Sequence, residues 1–140
     1  MTSGRLTTGQ FASFLGLGLL AVQAAYPGFW ASQILLVVVG LGDLTAFGET
    51  TRSQIAHSPL HVQFTPFIRF GLLVATIIAF HRRSRLAYAF YAGVIFLHIT
   101  AWVAALSNPH FTDSFMGYVI LVVEAVTILI MFTADRLRRP

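Results

Sequence analysis

Four ionisable residues lie within stretches of the sequence that are otherwise apolar: Asp43, Arg69, His98 and Glu124. An ionisable side chain at the centre of a membrane helix costs about 2.5–3.5 kcal/mol even on insertion scales, so such groups face a protein interior, a partner or water. In membrane proteins they mark ligand sites, proton pathways and contacts between subunits. These four residues are therefore the first candidates for chemistry in this chain.

The composition indicates the kind of element that must position them. Hydrophobic residues make up 56% of the 140 residues and charged residues only 10%, whereas a soluble domain carries about 25% charged residues. We therefore predict an all-α integral membrane protein, with residues 1–140 forming a single transmembrane helical domain. The absence of cysteine excludes disulfides, thiolate metal sites and thiol catalysis.

Five apolar segments can be drawn, over residues 8–25, 29–48, 64–80, 86–106 and 114–133. A helix needs about 20 residues to cross the hydrocarbon core. The first two segments form one apolar stretch that is interrupted by Tyr26, Pro27 and Gly28, and a Pro-Gly pair favours a turn. The sequence predicts a bundle of four to five transmembrane helices. A hairpin at the interruption, which we favour, gives five; a single kinked helix gives four.

The arginines predict the orientation. The chain has no lysine, which is typical of a GC-rich bacterial genome, and its arginines cluster in residues 82–85 and 136–139. Both clusters flank apolar segments, which is typical of topology signals rather than of a nucleic-acid surface. An even number of crossings separates them. The positive-inside rule therefore predicts a multi-pass protein of the bacterial inner membrane with a cytoplasmic C-terminus.

Depth along the predicted helices suggests how the four ionisable residues are arranged. Asp43 lies five residues before the outer end of its segment, and Arg69 lies five residues after the outer start of the next. This matching depth predicts a structural ion pair between Asp43 and Arg69. At about 1.5 Å per residue, His98 is deeper, and Glu124 lies deepest, near the middle of the bilayer.

The deeper residues are the candidates for ligand binding or proton handling. A lone carboxylate at mid-bilayer, such as Glu124, needs a proton, a partner or water, and His98 is a plausible neighbour or relay for it. Helical spacing places Tyr91 and Trp102 on the same face as His98. The candidate set is therefore Glu124, His98, Trp102 and Tyr91. These residues converge on one pocket only if each helix is rotated about its axis so that this face points inward, and the sequence does not fix that rotation.

The predicted outer loops carry three histidines, which are candidate metal ligands. His57 and His61 are four residues apart, a spacing that puts two ligands on one side of a helix, and His110 lies in the other loop. Pro59, between the first two, disfavours a regular helix there unless it occupies the first turn. The signal is weak, because neither a cysteine nor an HExxH motif accompanies these histidines.

A resemblance to a known family begins in the second apolar segment. Residues 38–44 have the sequence Val-Val-Gly-Leu-Gly-Asp-Leu, and an arginine-rich turn precedes the segment 86–106. The region from Ile34 to Arg85 resembles the small DoxX-like bacterial membrane proteins, in which a Gly-x-x-Lys-Leu pattern ends the first helix. The resemblance implies a four-helix core with one extra N-terminal helix. Members of that family are often subunits of membrane redox assemblies. No functional residue is transferred, since Asp43 stands where the family tends to have a base.

The sequence favours a non-enzymatic function, because it lacks a clear nucleophile, metal set or cofactor motif. We predict a subunit of a larger membrane complex or a binder of a lipid-like or quinone-like ligand. The partners are then the bilayer and either a membrane protein or further copies of this chain, but not nucleic acid. One alternative is a proton-coupled small-molecule transporter, acting as a homo-oligomer, with Glu124 as the coupling group and His98 as its relay. A second is a histidine-based metalloenzyme. The sequence assigns no cofactor.

Overall fold

A computed structural model describes residues 7–42, 45–46, 49–107 and 114–137. Four of its helices are long and apolar enough to cross a membrane, so the chain is an all-α, multi-pass membrane protein, as the composition predicts. The elements in chain order are α1 (Thr8–Val38), β1 (Thr45–Ala46), β2 (Glu49–Thr50), α2 (Thr51–His57), α3 (Leu60–His81), α4 (Leu86–Leu106) and α5 (Ser114–Leu137). The strands β1 and β2 form one short antiparallel pair.

The favoured hairpin at Tyr26, Pro27 and Gly28 is wrong. The structure has one helix of 31 residues there, with Pro27 inside it and buried. A proline is tolerated within a membrane helix when neighbouring helices compensate for the lost backbone hydrogen bond. Gly28 has a packing role instead of a turn role, because a Cβ atom at this position would lie only 3.0 Å from the ring of Phe70 on α3. Gly28 and Phe70 thus form a close contact between α1 and α3.

The four long helices form a ring in which α3 packs against α1 and α4, and α5 packs chiefly against α1. The backbones of α4 and α5 approach each other closely at fewer positions, and aromatic side chains such as Trp102 and Tyr118 pack in the seam between them. Small residues on one face of α1, including Ala12, Gly16 and Ala24, are buried. Their size lets the neighbouring helices approach closely, which is how membrane helices associate.

The bundle exposes many large apolar side chains and buries a set of polar ones beside its apolar core. Large apolar residues such as Phe11, Phe96 and Leu129 are at least 60% exposed. A soluble protein would rarely expose so many, whereas lipid is a favourable environment for them. The buried polar residues are Ser13, Gln23, Gln33, Thr65, Arg69, Thr76, His98, Glu124 and Thr127. In lipid, polar groups must find partners within the protein, and this requirement positions the candidate site.

Helix ends are set by local hydrogen bonding. Thr7 and Gln10 form a reciprocal capping box at the start of α1. Gly40 has a φ of 75° after the end of α1, and the amide of Leu41 donates to the carbonyl of Leu36 at 2.9 Å. This is a Schellman motif, in which glycine is preferred because L side chains disfavour positive φ. Helix α3 ends in the same way but with Arg83 at the positive-φ position.

Candidate functional site

Three ionisable side chains from three helices meet inside the bundle, and we call Arg69, His98 and Glu124 the charged layer. The Nη2 atom of Arg69 donates to Oε1 of Glu124 at 2.7 Å. The Nδ1 atom of His98 lies 2.9 Å from Oε2 of the same carboxylate. Arg69, His98 and Glu124 are 6%, 5% and 1% exposed, respectively. Glu124 therefore links α3, α4 and α5 through both of its oxygens.

The charged layer corrects the graded depths that the sequence predicted. Arg69 was expected near the outer mouth and Glu124 near the bilayer centre. Measured from the helix ends on that side, Arg69 lies nine residues into α3, His98 eight residues into α4 and Glu124 ten residues into α5. All three are at the same level, because α3 begins at Leu60 rather than at residue 64. Asp43, the expected partner of Arg69, lies outside the described residues.

A second set of buried polar side chains lies further into the bundle, and we call Gln23, Tyr91 and Thr127 the neutral layer. The hydroxyl of Tyr91 donates to Oε1 of Gln23 at 2.8 Å, and Nε2 of Gln23 donates to Oγ1 of Thr127 at 2.6 Å. Thr127 in turn donates to the carbonyl of Val123 at 2.7 Å. The neutral layer connects α1, α4 and α5. The backbone carbonyl of Glu124, 3.3 Å from the Tyr91 hydroxyl, joins the two layers.

Two buried N–H groups beside Glu124 and His98 lack an acceptor within the described part of the chain. They are Nε of Arg69 and Nε1 of Trp102. The Trp102 ring lies 6.4 Å from the His98 ring, centroid to centroid, and packs edge-on against Tyr118 at 4.5 Å. A buried N–H without an acceptor costs about 1–3 kcal/mol. Each is therefore a place where a bound acceptor would stabilise the protein.

Gly117 makes room for the Trp102 ring at the seam between α4 and α5. It is buried, and a Cβ atom at this position would overlap the indole. The indole therefore rests on the bare backbone of α5. This contact holds the unpaired Nε1 of Trp102 at the seam between α4 and α5.

The candidate metal ligands that the structure describes are placed less favourably for a shared metal site. His57 and His61 are both exposed, and Nδ1 of His57 lies 2.8 Å from the carbonyl of Ser53. His110 lies outside the described residues. Within the described ranges, no group of three or more His, Cys, Asp or Glu residues could hold a metal ion.

The structure thus brings together Glu124, His98, Arg69, Tyr91 and Trp102 from the sequence-predicted residues. The sequence pattern puts the other two members of the neutral layer on helix faces that could converge on the same pocket, but they are not among the predicted ligand-binding residues. Both carried a signal: Thr127 is three residues after Glu124 on the same helix face, and Gln23 is an amide within the small-residue face of α1. Their contact depends on how α1 packs against α5, which helical periodicity does not determine.

Comparison of the chain with known protein families, with curated proteins and with solved structures finds no match. The resemblance to the DoxX-like proteins therefore stays a prediction, and the site must be interpreted from its own geometry.

Proposed function

We propose that this protein binds a lipid-like or quinone-like ligand inside its helical bundle, beside the charged layer. The observation that carries the proposal is the pair of buried, unpaired donors, Nε of Arg69 and Nε1 of Trp102. An oxygen acceptor on a ligand would satisfy either donor. Lipids and quinones both combine such oxygens with an apolar body, which suits a site reached from the membrane.

The location of Trp102 favours a ligand that comes from the lipid phase. Trp102 lies at the seam between α4 and α5, where the two backbones are close at fewer positions than in the other three seams of the ring. Apolar side chains such as Phe96, on α4, and Val122, on α5, are exposed on the outer surfaces of these helices. The proposal is that an apolar molecule enters from the hydrocarbon at this seam.

Binding of a ligand is favoured over a polar contact with another subunit. Both oxygens of Glu124 have partners in the same chain, so no second protein is needed to neutralise this carboxylate. Membership of a larger membrane complex is compatible with the proposal and is what the DoxX-like resemblance implies. The proposal assigns no catalytic step to the site.

The test is to purify the protein in a mild detergent and identify bound small molecules by extraction and mass spectrometry. Trp102→Phe keeps an aromatic ring but removes the donor, and should lower the ligand content about five- to tenfold, as expected for one lost hydrogen bond. Trp30→Phe is the matched control, since it changes the other tryptophan, on α1, and should leave the ligand content unchanged. Equal ligand content in both variants, or none in the wild type, would contradict the proposal.

A proton-coupled transporter is the second candidate, and one contact favours it. Oε2 of Glu124 and Nδ1 of His98, 2.9 Å apart, join two side chains that can exchange a proton. His98→Asn can still donate to Glu124 but cannot relay a proton. Wild-type protein in vesicles with a trapped pH-sensitive dye should take up protons under an imposed membrane potential, and His98→Asn should not. A monomeric protein, or a wild type without proton uptake, would argue against transport.

The proposed location is the bacterial inner membrane, with the C-terminus in the cytoplasm. Four spans place both termini on one side, together with the arginines of residues 82–85 and 136–139. The chain has no cysteine, so single introduced cysteines report topology cleanly. In intact cells, a membrane-impermeant maleimide that reaches the periplasm should label Ala56→Cys and should not label Ser84→Cys. The reverse pattern would invert the orientation.

A further inference from the structure

A cleft lies at the turn between α3 and α4, at the opposite end of these helices from α2. It is open on one side and encloses little space of its own. The residues that line it are Phe80, Arg83, Ser84, Arg85, Tyr88 and Asp135. The lining thus includes two arginines, a serine, two aromatic residues and one aspartate. It shares no residue with the charged or neutral layer.

Arg83 occupies a backbone conformation that arginine disfavours. Its φ is 57°, and the amide of Ser84 donates to the carbonyl of Ala79 at 2.8 Å, which closes a Schellman motif. Glycine is the usual residue at this position because it has no Cβ atom to clash. Backbone strain of this kind persists most often at functional sites. Arginine at this position therefore has a backbone cost, and this residue lines the cleft.

The cleft has more positive charge than its own residues neutralise. Within the described residues, the side chain of neither Arg83 nor Arg85 has a hydrogen-bond or ion-pair acceptor, and both residues are exposed. Asp135 is the one carboxylate among the lining residues, and it takes part in an interaction of its own. The next arginine, Arg136, lies over the ring of Phe132 at 4.6 Å. An anion at the cleft would meet two guanidinium groups, which favour phosphate oxygens.

The cleft also lies where a lipid headgroup would be. The turn that lines it connects the end of the α3 span to the start of the α4 span. Leu86, the first residue of α4, is 58% exposed beside the cleft. We propose that Arg83 and Arg85 bind the phosphate of an anionic lipid headgroup in this cleft, with the acyl chains packing along α4. This site goes beyond the proposed interior ligand and does not depend on it.

The test measures thermal stability of the purified full chain in mild detergent while phosphatidylglycerol is added, with phosphatidylcholine and inorganic phosphate as separate arms. Phosphatidylglycerol should stabilise the wild type more than either. Arg83→Gly and Arg85→Gln should weaken its apparent affinity about tenfold, the size expected for a lost charge-assisted hydrogen bond. Arg82→Gln is the matched control, because Arg82 is a neighbouring exposed arginine that does not line the cleft, and it should retain the affinity.

Arg83→Gly has a second, opposite signature. Without added anionic lipid it should raise the melting temperature by about 2–4 °C, since glycine relieves the positive-φ backbone. A purely structural arginine would not combine this gain with a loss of lipid response. The proposal is overturned if phosphatidylglycerol does not stabilise the wild type, if inorganic phosphate acts equally well, or if Arg82→Gln loses affinity as much as the two cleft variants. Arg85→Gln keeps the test valid should Arg83→Gly misfold.

Discussion

The charged and neutral layers are neighbours in the same bundle, yet they satisfy their polar groups to different extents. In the neutral layer, each of Gln23, Tyr91 and Thr127 donates to an acceptor within the bundle. In the charged layer, Glu124 is bound by both partners, while Nε of Arg69 has no acceptor in the described residues. The neutral layer joins three helices through uncharged hydrogen bonds alone. The charged layer contains in addition a buried ion pair and an unpaired donor. For this reason we assign function to the charged layer.

The difference has an energetic side. A buried ion pair must overcome the loss of hydration of both ions, and it is often no more stabilising than apolar residues of similar size. Removing only one partner is much worse, because it leaves the other charge buried and unpaired. A hydrogen bond between neutral side chains in a membrane is worth about 0.6 kcal/mol on average, with a maximum near 1.7 kcal/mol. The two layers should therefore respond very differently to single substitutions.

The largest effect is expected for Glu124→Gln. This change keeps the size of the side chain and its contact with His98 but leaves Arg69 charged and unpaired, so it should destabilise the protein by about 3–5 kcal/mol. Adding Arg69→Met to Glu124→Gln removes the orphaned charge and should restore most of the loss. Unfolding in detergent, followed by circular dichroism, gives both values. A double variant as unstable as the single one would show that the two side chains are not energetically coupled.

An intermediate effect is expected for Gly117→Ala, which borders the charged layer through Trp102. The added methyl group would overlap the indole, and overpacking of this kind costs about 1–3 kcal/mol. Gly18→Ala is the control: Gly18 is also helical, but a Cβ atom there would have no neighbouring atom within 4 Å, so alanine should stabilise by about 0.5–1 kcal/mol. Opposite signs in a thermal unfolding experiment support the close contact, whereas equal stabilisation would exclude it.

Much of the fold could be predicted because hydropathy reports directly on the environment of a membrane helix. The segments that became α3, α4 and α5 were found on that basis. Pro27 was misinterpreted because its meaning depends on tertiary structure. The same Pro-Gly pair that ends a helix in water is accommodated inside α1, where Gly28 lies against Phe70.

Which residues belong to the candidate site could be predicted better than which of them contact each other. Ionisable residues in apolar segments identified Arg69, His98 and Glu124 without any structure. Their pairing required depth along the helices, and depth was counted from the edges of apolar runs. Helix α3 begins at Leu60, within a polar stretch that hydropathy assigned to a loop. The error of four residues, about one helical turn, placed Arg69 too shallow to be matched with Glu124; the predicted pair of Arg69 with Asp43 stays a prediction, since Asp43 lies outside the described residues.

The smallest effect is expected in the neutral layer. Tyr91→Phe removes a hydroxyl that donates to Gln23 at 2.8 Å, but Gln23 keeps its bond to Thr127, and Thr127 keeps its bond to the Val123 carbonyl. No charge is left unpaired, so the loss should be about 1 kcal/mol, measured by the same unfolding experiment. The ligand content after mild purification should be unchanged, in contrast to that of Trp102→Phe. If Tyr91→Phe released the ligand as fully, the neutral layer would belong to the binding site, and the functional boundary between the two layers would have to move one layer deeper into the bundle.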